Sequence, residues 1–421
     1  SGRGDHRVRE TSTLKGLLGR GRARDDMSTT QILVALFLVN FVSIAGFGML
    51  LPVFALYGEQ IGASGTEIAW AIASFSLGQL VSGIVFGRLS DKHGRKPLMV
   101  LGTVGSSVLY IGHLFADTPE LLILVRFAAG ITSGSFALSF AVGSDISTPA
   151  TRARVLGIVG AGFSFGFIFG PAIGGFAAGL VSEELAFKVV CLVSAALSFA
   201  AALAVLTLLP ETRRVHEHRD GVARPRIRDL LRQLDFFTVL AVCLAATIGM
   251  SMLHGVFVLF ANDVLYLGPM GIGLMYTTMG VFGVLTQAGA VGPISAAIGE
   301  HRMMVVAMLI VCTGMVALGL TATVEVALVA MIAVAIGYSL VNTASSALAS
   351  LIAPEAMQGA ALGLVQSVIS LGRFIGPMIA GPLYDFQGPA APFFWGAALI
   401  VLFAAGAALW HPAASHGQQS N

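Results

Sequence analysis

The chain has 421 residues, of which 56% are hydrophobic and only 11% charged, and its mean hydropathy is +0.86. So few charges cannot cover a water-soluble globule of this size, so a soluble globular enzyme is excluded and lipid becomes the solvent. The net charge of +2 is too small for a nucleic-acid footprint, and the basic residues read as a topology signal and a contact for anionic headgroups.

Crossing a hydrocarbon core of about 30 Å takes roughly 20 helical residues. Taken in order, the chain opens with a polar, Arg-rich stretch that reads as a disordered cytoplasmic tail (1–30), with Met27 as a natural start and no cleavable leader. Six apolar spans follow: Gln31–Tyr57, Thr66–Arg88, Lys96–Phe115, Glu120–Gly143, Ala153–Leu180 and Ala186–Leu209. A hydrophilic linker (210–235) carries seven arginines mixed with acids and cannot bury a core. The second six spans are Phe236–Phe260, Met270–Gly292, Met303–Thr321, Glu325–Ala349, Gln358–Leu383 and Ala391–His411, followed by a short tail (412–421). These are helices 1 to 12 of an all-α membrane protein with two six-helix bundles, 31–209 and 236–411, because lipid offers a backbone no partner but itself.

Of the 24 Lys and Arg residues, 21 fall before helix 1 or in the loops 2–3, 4–5, 6–7 and 8–9, all on one face. The exceptions are Arg126 and Arg373, inside helices 4 and 11, and Lys188 at the start of helix 6. The positive-inside rule then makes that face cytoplasmic, with both termini on it and the inner membrane as the location. Cys191, Cys243 and Cys312 fall within spans, where a thiol acts as a small apolar group and not as half of a disulfide.

The halves repeat. Gly87-Arg-Leu-Ser-Asp-Lys-His-Gly94 after helix 2 aligns with Gly292-Pro-Ile-Ser-Ala-Ala-Ile-Gly299 after helix 8 at an offset of 205. Gly166, Gly170, Pro171 and Gly175 of helix 5 align with Gly372, Gly376, Pro377 and Gly381 of helix 11 at an offset of 206. Repeats joined by a linker place a substrate site near the bilayer midplane between them, with access alternating as the halves rock.

Gly87-Arg-Leu-Ser-Asp91-Lys-His-Gly94-Arg95-Lys96-Pro97 resembles the signature between helices 2 and 3 of the major facilitator superfamily. Gly94 turns the chain to present Arg95, and Asp91 can face the positive end of a neighbouring helix. With Asp145 at the inner end of helix 4, Asp91 and Arg95 are the expected gating cluster, which the second half lacks because Ala296 and Glu300 stand in their places. Helix 5 carries Gly162-Phe-Ser-Phe-Gly166-Phe-Ile-Phe-Gly170-Pro171-Ala-Ile-Gly174-Gly175, which looks like the signature of drug/proton antiporters within that superfamily. Glycines at every fourth position make a flat packing face, and Pro171 removes a backbone donor. The same stretch matches G-x-S-x-G, but a membrane helix cannot supply the strand-to-helix elbow of a hydrolase, so no enzyme activity, metal or cofactor is expected.

Arg126 lies in Leu122-Ile-Leu-Val-Arg126-Phe-Ala-Ala-Gly130, which resembles the helix 4 signature of those antiporters, where the arginine is tied to proton transfer; snorkelling to the outer interface is the other reading. All 22 carboxylates sit at helix ends or in tails and loops, and helix 1 offers Asn40 where many drug exporters carry an acid. His254 in helix 7 is the other coupling candidate, or a hydrogen-bonded structural group. Arg373 either lines the cavity or supports the bend before Pro377. If helices 1, 4, 7 and 10 line the cavity, as the resemblance implies, it offers Asn40, Phe47, Ser133, Phe136, Met250, His254, Phe257, Tyr338 and Asn342.

Such a largely apolar pocket suits small amphiphilic compounds better than sugars. The expectation is a monomeric exporter of hydrophobic or amphiphilic molecules, coupled to protons, with lipid as its other partner. A facilitator or lipid-type flippase without proton coupling, or a transporter-like sensor, would share this fold.

Overall fold

The computed structural model describes residues 7–148, 151–210, 230–354 and 357–410; the side chains before Thr30 and those of Ile84, Asp91, Arg152, Ala153 and Gly359 are outside the described residues. Of the expected disordered tail only residues 1–6 lie outside the described residues. From Arg7 the backbone is helical and runs without a break into the first span, as one helix Arg7–Gln60, because nothing in this stretch breaks the helix before the apolar run begins. Most of the Arg-rich linker (211–229) is outside the described residues. Among the described residues twelve helices are long and apolar enough to span a membrane. They are α1 (Thr30–Gln60), α2 (Gly65–Ser90), α3 (Arg95–Phe115), α4 (Pro119–Ile146), α5 (Arg154–Gly179), α6 (Glu183–Leu208), α7 (Leu234–Asp263), α8 (Pro269–Ile298), α9 (Glu300–Leu320), α10 (Val324–Ile352), α11 (Ala360–Gln387) and α12 (Ala391–Leu409).

Local chemistry explains several of the boundaries. Ser64 and Glu67 form a reciprocal capping box at the start of α2. Thr118 accepts from the Leu121 amide ahead of Pro119 at the first helical position of α4. Gly94 (φ 99°) and Gly299 (φ 79°) each end one helix and start the next, with their amides on Ser90 O and Ser295 O. A side chain would be strained at either glycine, so one turn geometry is built twice at the 205-residue spacing. α8 runs six residues beyond its expected end at Gly292, carrying a π-helical stretch at Thr286–Ala290 within it; such bulges absorb an extra residue. α4 is interrupted at Ser133 and Gly134.

Each half is held by long-range helix pairs. In the first, α1 packs on α5 and α6, and α2 on α4; in the second, α7 packs on α11 and α12, and α9 on α10. The α1–α5 seam is the tightest. A methyl group at Gly162 would fall 2.5 Å from Phe37 O, one at Gly166 2.6 Å from Phe41 O, and one at Gly170 2.8 Å from Ala45 O, while Gly174 meets Met49 O closer still. Four glycines at four-residue spacing thus meet four carbonyls at the same spacing, as ridge packing at small residues allows. In the second half Gly372 and Gly376 meet α7 at Thr247 and at Ile248 O.

Candidate substrate cavity

The two halves touch chiefly at one membrane face, the one opposite the chain ends. There a methyl at Gly175 of α5 would come 2.7 Å from Pro269 O and 3.1 Å from Gly273 Cα of α8. Its repeat partner Gly381 of α11 packs equally closely on Thr66 and Ala69 of α2. Asp385 on α11 accepts from the Thr66 backbone N–H (2.8 Å) and hydroxyl (2.5 Å), adding a cap from the other half to the positive end of α2. The Tyr384 hydroxyl donates to Asp263 at the end of α7 (2.6 Å).

Toward the other face the same four helices part. Gly83 and Gly87 on α2, Gly157 and Gly160 on α5, Gly283, Gly289 and Gly292 on α8, and Gly363 on α11 have no neighbouring atom within 4 Å of where a methyl would stand. Arg95 bridges Asp145 (3.3 Å) and donates to Ser90, joining the start of α3 to the ends of α4 and α2 within the first half. The Asp91 side chain is outside the described residues.

Between the halves lies a cavity of about 240 Å³ lined by α1, α2, α4, α5, α7, α8, α10 and α11. Of the residues expected there, Phe47, Ser133, Phe136, Met250, His254, Tyr338 and Asn342 line it. Asn40 and Phe257 do not. Asn40 is fully buried, donating to Val159 O (3.0 Å) and accepting from the Ser139 hydroxyl (2.7 Å), so it ties α1 to α5 and α4. Phe257 is fully buried edge-on to Tyr276 with centroids 5.4 Å apart. Much of the remaining wall comes from helices outside the expected set, among them Phe75 and Gln79 of α2, Phe163 and Phe167 of α5, Gln287 of α8 and Arg373 of α11.

His254 bonds Met250 O through Nδ1 (3.1 Å), stacks parallel to Tyr276 (5.9 Å) and leaves Nε2 buried without a partner. Arg126 does not snorkel. It is 1% exposed, with its guanidinium carbon 4.2, 5.4 and 5.5 Å from the ring centres of Phe54, Phe75 and Phe47, and its Nε and Nη2 atoms have no hydrogen-bond partner. Cation–π attraction is what the surroundings offer it in place of an anion. No Asp or Glu lines the cavity. Among the described residues no cluster of three His, Cys, Asp or Glu side chains could hold a metal.

The family model of the Major Facilitator Superfamily matches residues 36–377, with a second match over 267–421. The chain belongs to the major facilitator superfamily. It is therefore a multi-pass membrane protein of a transporter family, and the paired six-helix bundles are the fold of that superfamily. It is 29% identical over 385 residues to Multidrug resistance protein 1 of Bacillus subtilis (strain 168), covering 89% of this chain and 95% of the relative. It is 28% identical to Quinolone resistance protein NorA of Staphylococcus aureus (strain MSSA476), covering 84% of this chain and 90% of that one. Among solved structures, it is similar to a bacterial homolog of the human lysosomal transporter Spinster in an inward-facing, occupied conformation. The TM-score is 0.77, with 15% identity over 91% of this chain and 99% of that one. A second solved structure, the nucleoside transporter NupG, aligns at a TM-score of 0.72 and 14% identity, over 90% of this chain and 98% of that one.

Proposed function

We propose that this chain is an exporter of small hydrophobic or amphiphilic compounds, working by alternating access in the inner membrane with both termini cytoplasmic. The observation that carries the reading is the central cavity: aromatic and Met side chains from both halves enclose it, with a few polar anchors. Such a lining rewards apolar bulk and leaves polyols unsatisfied. The relatives named for multidrug and quinolone resistance fit a pocket of that kind. Contact concentrated toward the face opposite the termini fits one end state of a rocking cycle, open to the cytoplasm. Asp91, Arg95 and Asp145 are assigned the cytoplasmic gate, which closes in the other end state.

Expression in cells stripped of their own pumps should lower the accumulation of lipophilic dyes severalfold, and Phe136→Ala with Met250→Ala should restore it. Accumulation unchanged by the protein across dyes, antibiotics and lipids would overturn the reading. Coupling to protons is assigned to Arg126 and His254; the carboxylate-free cavity favours an uncoupled facilitator as the second reading, which a flux indifferent to an imposed pH gradient in proteoliposomes would establish.

A further inference from the structure

The charge inside the membrane is one-sided. Arg373 is the only Lys, Arg, Asp or Glu among the residues lining the cavity, and it stands beside His254 and Tyr338. Among the described residues no carboxylate forms an ion pair with it. A second cation stands one aromatic ring behind the wall: Phe47 and Phe75 line the cavity on one side and hold the Arg126 guanidinium on the other. Two arginines thus act on one low-dielectric space with no anion to balance them, and field strength there is far greater than in water. The neutral groups that converge on it, Gln79, Gln287, Asn342 and Tyr338, all can donate hydrogen bonds.

We propose that the cavity selects amphiphiles carrying a negative charge, with Arg373 as the group that receives the carboxylate or sulfonate while the aromatic walls take the apolar body. This rests on the export reading above and narrows it to a substrate class. A planar guanidinium can meet such a group with two parallel N–H donors, and a permanent cation such as ethidium would meet uncompensated repulsion at the same place. No carboxylate on the cavity wall offers a cation the partner it would need.

The test uses purified protein in nanodiscs and in proteoliposomes, with anilinonaphthalene sulfonate, the same ring scaffold without its anion (N-phenylnaphthylamine), and ethidium. The wild-type protein binds the sulfonate tightest. Arg373→Gln weakens that binding at least about tenfold, the scale of a lost charge-assisted hydrogen bond, and leaves N-phenylnaphthylamine within about twofold, which also reports an intact fold. Arg373→Lys keeps the charge and retains most of the preference. Preference for ethidium, or an Arg373→Gln effect equal on all three compounds, overturns the assignment while leaving export of amphiphiles standing. Absence of both binding and flux for every compound overturns the export reading and this inference together.

Discussion

Asn40 and Phe136 separate the two jobs that a polar or aromatic residue on a cavity-side helix can do. Asn40 satisfies both ends of its amide on other helices, so Asn40→Ala removes two buried contacts and is expected to cost about 1–2 kcal/mol, read as a lower Tm with substrate affinity kept. Phe136→Ala shortens a wall and is expected to weaken substrate affinity with little change in Tm. Both residues stand on helices expected to line the cavity, and residue type alone cannot say which one turns inward; the Val159 carbonyl that claims Asn40 lies 119 residues away. Arg373 was legible as an intramembrane cation with two readings, cavity group or support of the bend before Pro377; the structure puts it on the cavity wall, and sequence could not choose because its helix is not one of the four expected to line. Arg126 was legible as an intramembrane cation, whereas its three-ring enclosure needed Phe47, Phe54 and Phe75 from two other helices. Arg126→Ala is expected to abolish accumulation driven by a pH gradient while downhill flux continues; gradient-driven accumulation retained in both Arg126→Ala and His254→Ala would put coupling elsewhere.

At the scale of the helix, α5 has two working faces. Gly162, Gly166, Gly170 and Gly174 press on α1 in their own half, whereas Gly175 presses on α8 in the other. Gly166→Leu therefore drives a side chain into the Phe41 carbonyl and is expected to abolish transport and lower Tm by several degrees. Gly160→Ala meets nothing within 4 Å and, by helix propensity, is expected to be neutral or to stabilise by up to about 1 kcal/mol. Equal damage from the two substitutions would remove the case for the seam. The four-residue spacing made the seam visible in sequence. Its partner was not visible, since a flat face fits any helix, and the division of one motif between a fixed seam and a contact across the halves follows only from tertiary placement.

For the molecule as a whole, twelve spans and a two-fold repeat were legible because lipid imposes one length and one backbone solution on every crossing. Which faces of the halves meet was not, since that depends on a balance of weak contacts. Asp385 is central to that balance: it is solvent-exposed, but it crosses between halves to two donors of Thr66. Asp385→Ala is expected to loosen the face opposite the termini, raising the reactivity of a cysteine placed at Gln79 toward a membrane-impermeant reagent added on that side. Unchanged labelling would show that Gly175, Gly273 and Gly381 hold the closure without it.

The α1–α5 seam also has a consequence in time. The helix that presses on α1 is not its neighbour in the chain, and at roughly 5–20 residues per second of synthesis Val159 follows Asn40 by roughly 6–24 s. Until then the Asn40 side-chain N–H lacks its Val159 partner and the face of α1 that will meet the α5 glycines is uncovered. Nascent chains stopped after α4 should therefore expose this face to whatever holds newly inserted helices, and crosslinks from position 40 to such a holder should vanish once α5 has emerged.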